Sequence, residues 1–238
     1  MASIVDAFRE SYEDENSIIK FILYSIPLYF CVDMLMKGNT TGYNILMPLV
    51  SVLLFGFLLK CTYNVRTGQD KVLPSFNFLG VFWTGLKGII ALAPLLFISY
   101  GLTIGFCALL AKYIPDEGLY KILAWIIGLV CTSIPYTGYM IYAKRFKISD
   151  AYNFKLISDT CSDVLFALIF MIPKLLLVNL IVFVPATYVF WLFFGIPHPI
   201  ATYYWCLATI FVIAVTGHYL AQVAYEAIPS NDDEKDLL

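Results

Sequence analysis

Residues 175–194 read LLLVNLIVFVPATYVFWLFF, and this run of twenty residues contains no charged side chain. A segment inside a bilayer finds no water, so each backbone N–H and C=O group must be satisfied within the segment itself. An α-helix does this, and about 20 residues of helix cross the ~30 Å hydrocarbon layer. The run therefore predicts a transmembrane helix, Leu175–Phe194.

The rest of the chain contains five more apolar stretches of sufficient length. These further predicted spans are Ile18–Met36, Gly42–Leu59, Ala93–Ala111, Leu119–Tyr142 and Ile200–Ala224. Strict alternation over ten-residue units is missing from them, which favours helices over a membrane β-barrel. The sequence predicts an all-α fold, a single polytopic integral membrane bundle of about six transmembrane helices over residues 18–226. Residues 1–17 are predicted to form a cytoplasmic N-terminal segment, and residues 227–238 an acidic cytoplasmic tail.

The composition supports this class of protein and argues against others. Hydrophobic residues make up 61% of the 238 residues and charged residues 13%, against about 45–50% and 25% in soluble domains. The chain has 15 Lys and Arg residues and 17 Asp and Glu residues, so no basic surplus supports binding of nucleic acid. The expected partners are membrane lipid and other membrane protein subunits.

The orientation of the spans follows from the positions of the basic residues. With six spans, both termini share one side of the membrane with the loops after the second and fourth spans. That side carries Arg9, Lys20, Lys60, Arg66, Lys71, Lys87, Lys144, Arg145, Lys147, Lys155 and Lys235, whereas the opposite side carries Lys37, Lys112 and Lys121. The positive-inside rule therefore predicts a multi-pass protein of the cell membrane with both termini in the cytoplasm.

Two segments precede a predicted span without crossing the membrane themselves. Pro74–Ile90 and Asp150–Phe170 have apolar residues at helical spacing beside charged ones. This pattern favours helices that lie in the headgroup layer or enter it at a slant. The alternative is that both segments are the early turns of long, tilted spans.

The chain also contains an internal similarity at an offset of 79 residues. Pro94 aligns with Pro173 and Gly138 with Gly217, and the interval from proline to glycine is 44 residues in both copies. A looser third copy includes Pro27 near the start of the chain. Because proline bends a helix and glycine permits close approach of a neighbouring backbone, we expect three repeated helical hairpins with interfacial helices.

The order of these features resembles a known family. The polar start DAFRESYEDENSIIKFIL is followed by GYNILMPLV and then by TYNVRTGQDKVLPSFNFLGVFWTGLKGII, in which the stretch from Gly68 to Gly85 is the most specific part. In this order the chain resembles the prokaryotic membrane family named domain of unknown function 4013. The resemblance implies a six-span integral membrane protein, and it implies neither an activity nor a catalytic residue.

Ionisable and strongly polar residues within the spans are the candidates for a functional site, because a charge at the bilayer centre costs about 2.5–3.5 kcal/mol. Lys174 either lies deep in the membrane or, as we favour, extends to the headgroups. Asp33 and Lys37 have the i, i+4 spacing of an interfacial ion pair. His218 and Gln222, one helical turn apart, favour a hydrogen bond to a neighbouring helix over a ligand site.

Other polar residues and motifs point away from catalysis. His198 lies between two prolines before the last span, where we expect it to cap an exposed loop. The six cysteines are scattered singly and are typical of small buried hydrophobic residues. The sequence contains no G-x-x-x-x-G-K, no H-E-x-x-H and no G-x-S-x-G, and it has only two histidines for acid–base chemistry. It therefore predicts no enzyme activity, no cofactor and no metal site.

Two functions fit these observations. The first is a non-catalytic membrane component that organises lipid or partner subunits through its bundle. The alternative is a small permease or channel for a neutral or amphiphilic substrate, with Pro94, Pro173, Gly138 and Gly217 placed where bent helices meet along a pathway.

Overall fold

The computed structural model describes residues 2–14, 16–69, 71–195 and 198–228. Within these ranges the chain forms helices and no strands. The helices are α1 (Ile4–Glu13), α2 (Ser17–Met36), α3 (Thr40–Arg66), α4 (Phe78–Tyr113), α5 (Glu117–Tyr142), α6 (Phe154–Phe194) and α7 (Pro199–Ala227), with a 3-10 turn at Asp150–Tyr152. Helices α2 to α7 are long and apolar enough to cross a membrane. The predicted all-α bundle with six spans is therefore confirmed.

Polar side chains set the starts of the helices. The side chains of Asn39, Asn77 and Asn153 each accept a hydrogen bond from the backbone N–H three residues on, at 2.9, 2.9 and 3.1 Å. Such caps satisfy one of the N–H groups that the first turn of a helix leaves without a partner. At the start of α7, Nδ1 of His198 accepts from the N–H of Ile200 at 3.3 Å. The prediction that His198 acts as a cap is confirmed.

Helix α7 lies at the centre of the bundle. It packs against α1, α2, α3 and α6, and half of its most apolar stretch is buried, against 17% for α5 and α6. Helices that follow one another in the sequence also pack together, since each of α2 to α6 packs against the next one. The surfaces that α4, α5 and α6 turn outward are apolar, as expected of helices that contact lipid.

Two glycines allow a very close approach of α3 and α4. A methyl group added at Gly56 would lie 2.0 Å from the carbonyl oxygen of Val81, and one added at Gly85 would lie 2.0 Å from the carbonyl oxygen of Val52. Only glycine lets two helix backbones come this close, which increases their van der Waals contact in a solvent that offers no hydrophobic driving force. The two glycines therefore fix the position of α4 on α3.

A buried hydroxyl connects three helices in the core. Oγ1 of Thr62 in α3 lies 2.6 Å from the hydroxyl of Tyr139 in α5 and 3.0 Å from the carbonyl oxygen of Gly217 in α7. Thr62 is fully buried and Tyr139 is nearly so. Because an unpaired polar group costs free energy in this environment, the shared hydrogen bonds tie α5 and α7 to α3.

The two segments expected in the headgroup layer are not separate helices. Residues 78–90 are the first turns of α4, which has 36 residues, and residues 154–170 are the first turns of α6, which has 41 residues. At 1.5 Å per residue these helices are about 54 and 62 Å long, well beyond the ~30 Å of a hydrocarbon core. The structure agrees with the alternative stated above, that both segments are the early turns of long spans. Helix α4 continues through Pro94, and α6 continues through Pro173.

The glycines that define the internal similarity contact different kinds of neighbour. A methyl group at Gly138 of α5 would meet the side chain of Leu95 in α4 at 2.2 Å. One at Gly217 of α7 would meet Cys61 and the backbone of Leu58, both in α3, at 2.9 and 3.0 Å. Gly138 thus packs on the preceding helix and Gly217 on a distant one. The repeat of three hairpins stays a prediction.

Candidate functional site

The structure brings three of the predicted candidates together under α1. His218 and Gln222 of α7 face α1, and Lys174 of α6 contacts the residues just before α1. Helix α1 runs along α7, with Phe8 packed edge-on against Phe211 at 4.8 Å between ring centroids. The sequence placed residues 1–17 in the cytoplasm as a polar segment and did not predict that a helix formed there would cover these side chains.

His218 is 2% exposed and has polar neighbours on two helices. Its Nε2 lies 3.4 Å from a carboxylate oxygen of Glu10 and 3.4 Å from Nε2 of Gln222. The backbone N–H of Ser3 donates to the side-chain oxygen of Gln222. The predicted hydrogen bonding between helices is therefore confirmed, with α1 as the neighbour. Nδ1 of His218 has no hydrogen-bond partner among the described residues.

Lys174 is half-buried in the middle of α6. Its ammonium group donates to the carbonyl oxygen of Ala2 at 3.2 Å and to the hydroxyl of Tyr219 at 3.0 Å, and it lies 5.0 Å from the centre of the Tyr219 ring. These partners are neutral, and no carboxylate of the described residues lies within ion-pair distance. Lys174 neither lies deep without a partner nor extends freely to the headgroups, because the N-terminal segment and α7 hold it.

We expect the replacement Gln222→Met to loosen α1 from the bundle. It removes the acceptor for the Ser3 N–H while keeping the length of the side chain. Since local opening determines amide exchange, the amides of α1 should exchange faster with deuterium, with little change in α3. The control is Thr216→Val, which removes a hydroxyl of α7 that bonds only within its own helix. Equal exchange in α1 for both variants would contradict this role of Gln222.

Asp33 and Lys37 form the predicted ion pair. Oδ2 of Asp33 lies 2.7 Å from the Lys37 ammonium group, one turn on, and the lysine is exposed. The hydrogen bond that Lys37 donates to this carboxylate, together with the negative charge of Asp33, raises the pKa of Lys37. The pair lies at the end of α2 away from α1 and lines none of the cavities described below.

An apolar groove lies between α2 and α6, and we call it the lateral groove. Its volume is about 530 Å³, and its floor is one face of α7, formed by Tyr204, Leu207, Ala208 and Phe211. These residues recur at the i, i+3, i+4, i+7 spacing of a single helix face. Helix α1 closes one end of the groove with two aromatic side chains, Phe8 and Tyr12.

The α6 wall of the lateral groove contains a proline that the sequence analysis did not single out. Pro185 lines the groove with Ile181, Val182 and Ala186. A proline inside a helix leaves a carbonyl group of the preceding turn without its N–H partner. For Pro185 this carbonyl group belongs to Ile181. The hydroxyl of Tyr204 in α7 donates to the carbonyl oxygen of the next residue, Val182, at 2.8 Å.

A second apolar groove lies on the other side of α7. It has a volume of about 370 Å³ and is lined mainly by α3, α4 and α5, including Pro135 and Tyr139. Neither apolar groove is lined by any of the residues proposed from the sequence as structural or pathway elements, namely Lys174, His218, Gln222, Asp33, Pro94, Pro173, Gly138 and Gly217. Their placement along a transport pathway stays a prediction.

A buried ion pair, which the sequence analysis missed, anchors the start of α2. The Lys20 ammonium group lies 2.6 Å from Oδ1 of Asp14, and both side chains are at most 5% exposed. Oδ2 of Asp14 accepts from the backbone N–H of Leu73 at 2.7 Å. The hydroxyl of Tyr24 donates to the carbonyl oxygen of Ser75 at 2.9 Å. These bonds attach the connection between α3 and α4 to α2.

These features define a class: a multi-pass helical membrane protein with lateral apolar grooves and an N-terminal helix packed on its central span. Within the described ranges, no group of three or more His, Cys, Asp and Glu side chains is arranged to hold a metal ion. No family model matches the chain, and no curated protein or solved structure matches it either. The resemblance to domain of unknown function 4013 therefore stays a prediction.

Proposed function

We propose that this protein is a non-catalytic membrane component that binds membrane lipid, with an acyl chain in the lateral groove. The observation that supports this is the groove itself, which has almost entirely apolar walls and a volume of about 530 Å³. Ligand sites in proteins have volumes of about 300–1,000 Å³. An apolar slot beside a transmembrane helix excludes polar solutes and suits the hydrocarbon chain of a lipid.

The shape of the groove also fits an acyl chain. Its α7 lining extends over two helical turns, from Tyr204 to Phe211, so an acyl chain can lie along α7 in the direction of the surrounding lipid tails. Ile181 on the α6 wall is more than half exposed, which leaves the groove open on the side where lipid lies. A chain could therefore enter sideways without crossing the packed core.

Helix α1 supplies an amphipathic surface at the end of the groove. Val5, Phe8 and Tyr12 are exposed at i, i+3, i+7 spacing, and the ion pair of Arg9 and Glu13 lies beside them. Such a helix lies in the boundary between headgroups and acyl chains. On the proposed orientation, in a cell membrane with both termini in the cytoplasm, α1 would lie in the cytoplasmic leaflet and position the headgroup of the bound lipid.

We expect Ala186→Trp to remove the lipid from the lateral groove. Ala186 lines the α6 wall, and an indole there would occupy space that the acyl chain needs. Native mass spectrometry of protein purified in mild detergent should show one bound phospholipid fewer per chain than in the unmodified protein.

The matched control for this experiment is Val184→Trp. Val184 lies two residues away in α6, is 55% exposed and does not line the groove. Lipid binding should be unchanged in this variant. If the unmodified protein carries no phospholipid, or if both tryptophan variants retain it equally, lipid binding in the lateral groove is wrong.

A further inference from the structure

A polar pocket lies where α2, α3 and α4 meet, on the side of α2 away from the lateral groove. It has a volume of about 370 Å³, and we call it the lysine pocket. Three lysines line it, Lys20, Lys60 and Lys71, together with the amide side chains of Asn16, Asn64, Gln69 and Asn77. More than half of its wall is polar, in contrast to both apolar grooves.

Two lysines of the lysine pocket, Lys20 and Lys60, differ in whether a carboxylate neutralises their charge. Lys20 is neutralised by Asp14, which lies 2.6 Å from its ammonium group. Lys60 has no ion-pair partner in the part of the chain that the structure describes. Its ammonium group lies 5.0 Å from the ring centre of Phe146 and 5.5 Å from that of Tyr63. Ring faces attract a cation, but they provide no counter-charge, so the pocket contains an uncompensated positive charge.

The start of α4 adds to the positive potential of the lysine pocket. Asn77 caps this 36-residue helix, and Ser75, Asn77 and Gly80 line the pocket. The N-terminal end of a helix carries a partial positive charge, and its first N–H groups are donors without partners inside the helix. Because lysines and the N-terminal end of a helix line the same cavity, binding of an anion is favoured there and binding of a metal cation is disfavoured.

The position of the pocket indicates which anions can reach it. Lys60 is within two turns of the end of α3, on the same end of the bundle as α1. At this depth a transmembrane helix passes the headgroup layer, where basic pockets between helices bind anionic headgroups. A dissolved anion could enter from the water on the same side.

From this geometry we propose that the lysine pocket binds a phosphate group, from the headgroup of an anionic phospholipid or from a dissolved phosphate compound, with Lys60 as its principal contact. This proposal does not depend on the lateral groove, because the two cavities share no lining residue.

The test uses full-length protein and two probes. Inorganic phosphate is titrated into protein in detergent by calorimetry, and binding of phosphatidylglycerol against phosphatidylcholine is compared by native mass spectrometry from nanodiscs of defined composition. We expect Lys60→Met to weaken binding of the effective probe about tenfold or more, since it removes a charge-assisted hydrogen bond to the phosphate. Lys60→Arg, which retains the charge, should retain binding.

The matched control is Lys155→Met, which removes an exposed lysine of α6 that does not line the pocket. Lys71→Met at the exposed rim provides a second pocket variant that does not disturb the bundle core. If inorganic phosphate binds and phosphatidylglycerol is not preferred over phosphatidylcholine, the ligand is a dissolved phosphate compound. If phosphatidylglycerol is preferred and inorganic phosphate does not bind, the ligand is a lipid. If neither probe distinguishes Lys60→Met and Lys71→Met from Lys155→Met, the proposal is overturned.

Discussion

Replacing Lys20 by methionine is expected to lower the free energy of unfolding by about 3–5 kcal/mol, because it leaves the Asp14 carboxylate buried without its counter-charge. The Asp14 side chain is fully buried and Lys20 is 5% exposed, so water cannot take over the role of the ammonium group. Asp14 also accepts from the Leu73 N–H. The loss should therefore loosen the connection between α3 and α4 as well as α2.

Equilibrium unfolding in mixed micelles, followed by tryptophan fluorescence, measures this effect. The matched control is Lys37→Met, which breaks an exposed ion pair at the other end of the same helix and should cause no measurable loss. The double variant Asp14→Asn with Lys20→Met keeps an acceptor for Leu73 and removes both charges, so it should be more stable than Lys20→Met alone. Equal stability of Lys20→Met and Lys37→Met would contradict the importance of the buried pair.

The second large effect is expected for Gly85→Ala at the crossing of α3 and α4. The added methyl group would lie 2.0 Å from the carbonyl oxygen of Val52 and 2.8 Å from the backbone nitrogen of Gly56. These are backbone atoms that cannot rotate away, so the helices must separate. Overpacking typically costs about 1–3 kcal/mol, and we expect a value at or above the upper end of this range.

Gly101→Ala is the control for this substitution, because Gly101 lies in the same helix and has no atom within 4 Å of an added methyl group. Alanine is the better helix former by up to ~1 kcal/mol, so this variant should be as stable as the unmodified protein or more so. Unfolding in micelles compares the two variants directly. If Gly85→Ala were no less stable than Gly101→Ala, the close crossing would be wrong.

The positions of the spans were predictable because the bilayer imposes a simple requirement on every segment that crosses it. Ile18–Met36 differs from α2 by one residue at one end, and Leu119–Tyr142 differs from α5 by two. The starts of α4 and α6 were predicted less well. Hydropathy falls where these helices leave the hydrocarbon, but a helix can continue beyond it, as far back as Phe78 and Phe154.

The candidate polar residues were found for a similar reason. Lys174, His218 and Gln222 are conspicuous in apolar sequence, because an unpaired polar group in lipid is costly. Their partners could not be identified in the same way. Ser3 and Glu10 belong to a polar segment of ordinary composition, and only the packing of α1 on α7 brings them to Gln222 and His218.

The acidic tail predicted at 227–238 lies outside the described residues from 229 onward. For the rest of the chain, some features follow from local sequence and others only from tertiary packing. Apolar length determined by itself that six long helices form and where in the chain each crosses the membrane, though not where α4 and α6 begin, since the requirement comes from the solvent of each segment. The tertiary structure decided that α7 is central, that Pro185 rather than Pro173 lines the lateral groove, and that Lys60 has no ion-pair partner among the described residues. Each of these depends on which helix faces are adjacent, and that adjacency comes from contacts between residues far apart in the sequence, which no local pattern records.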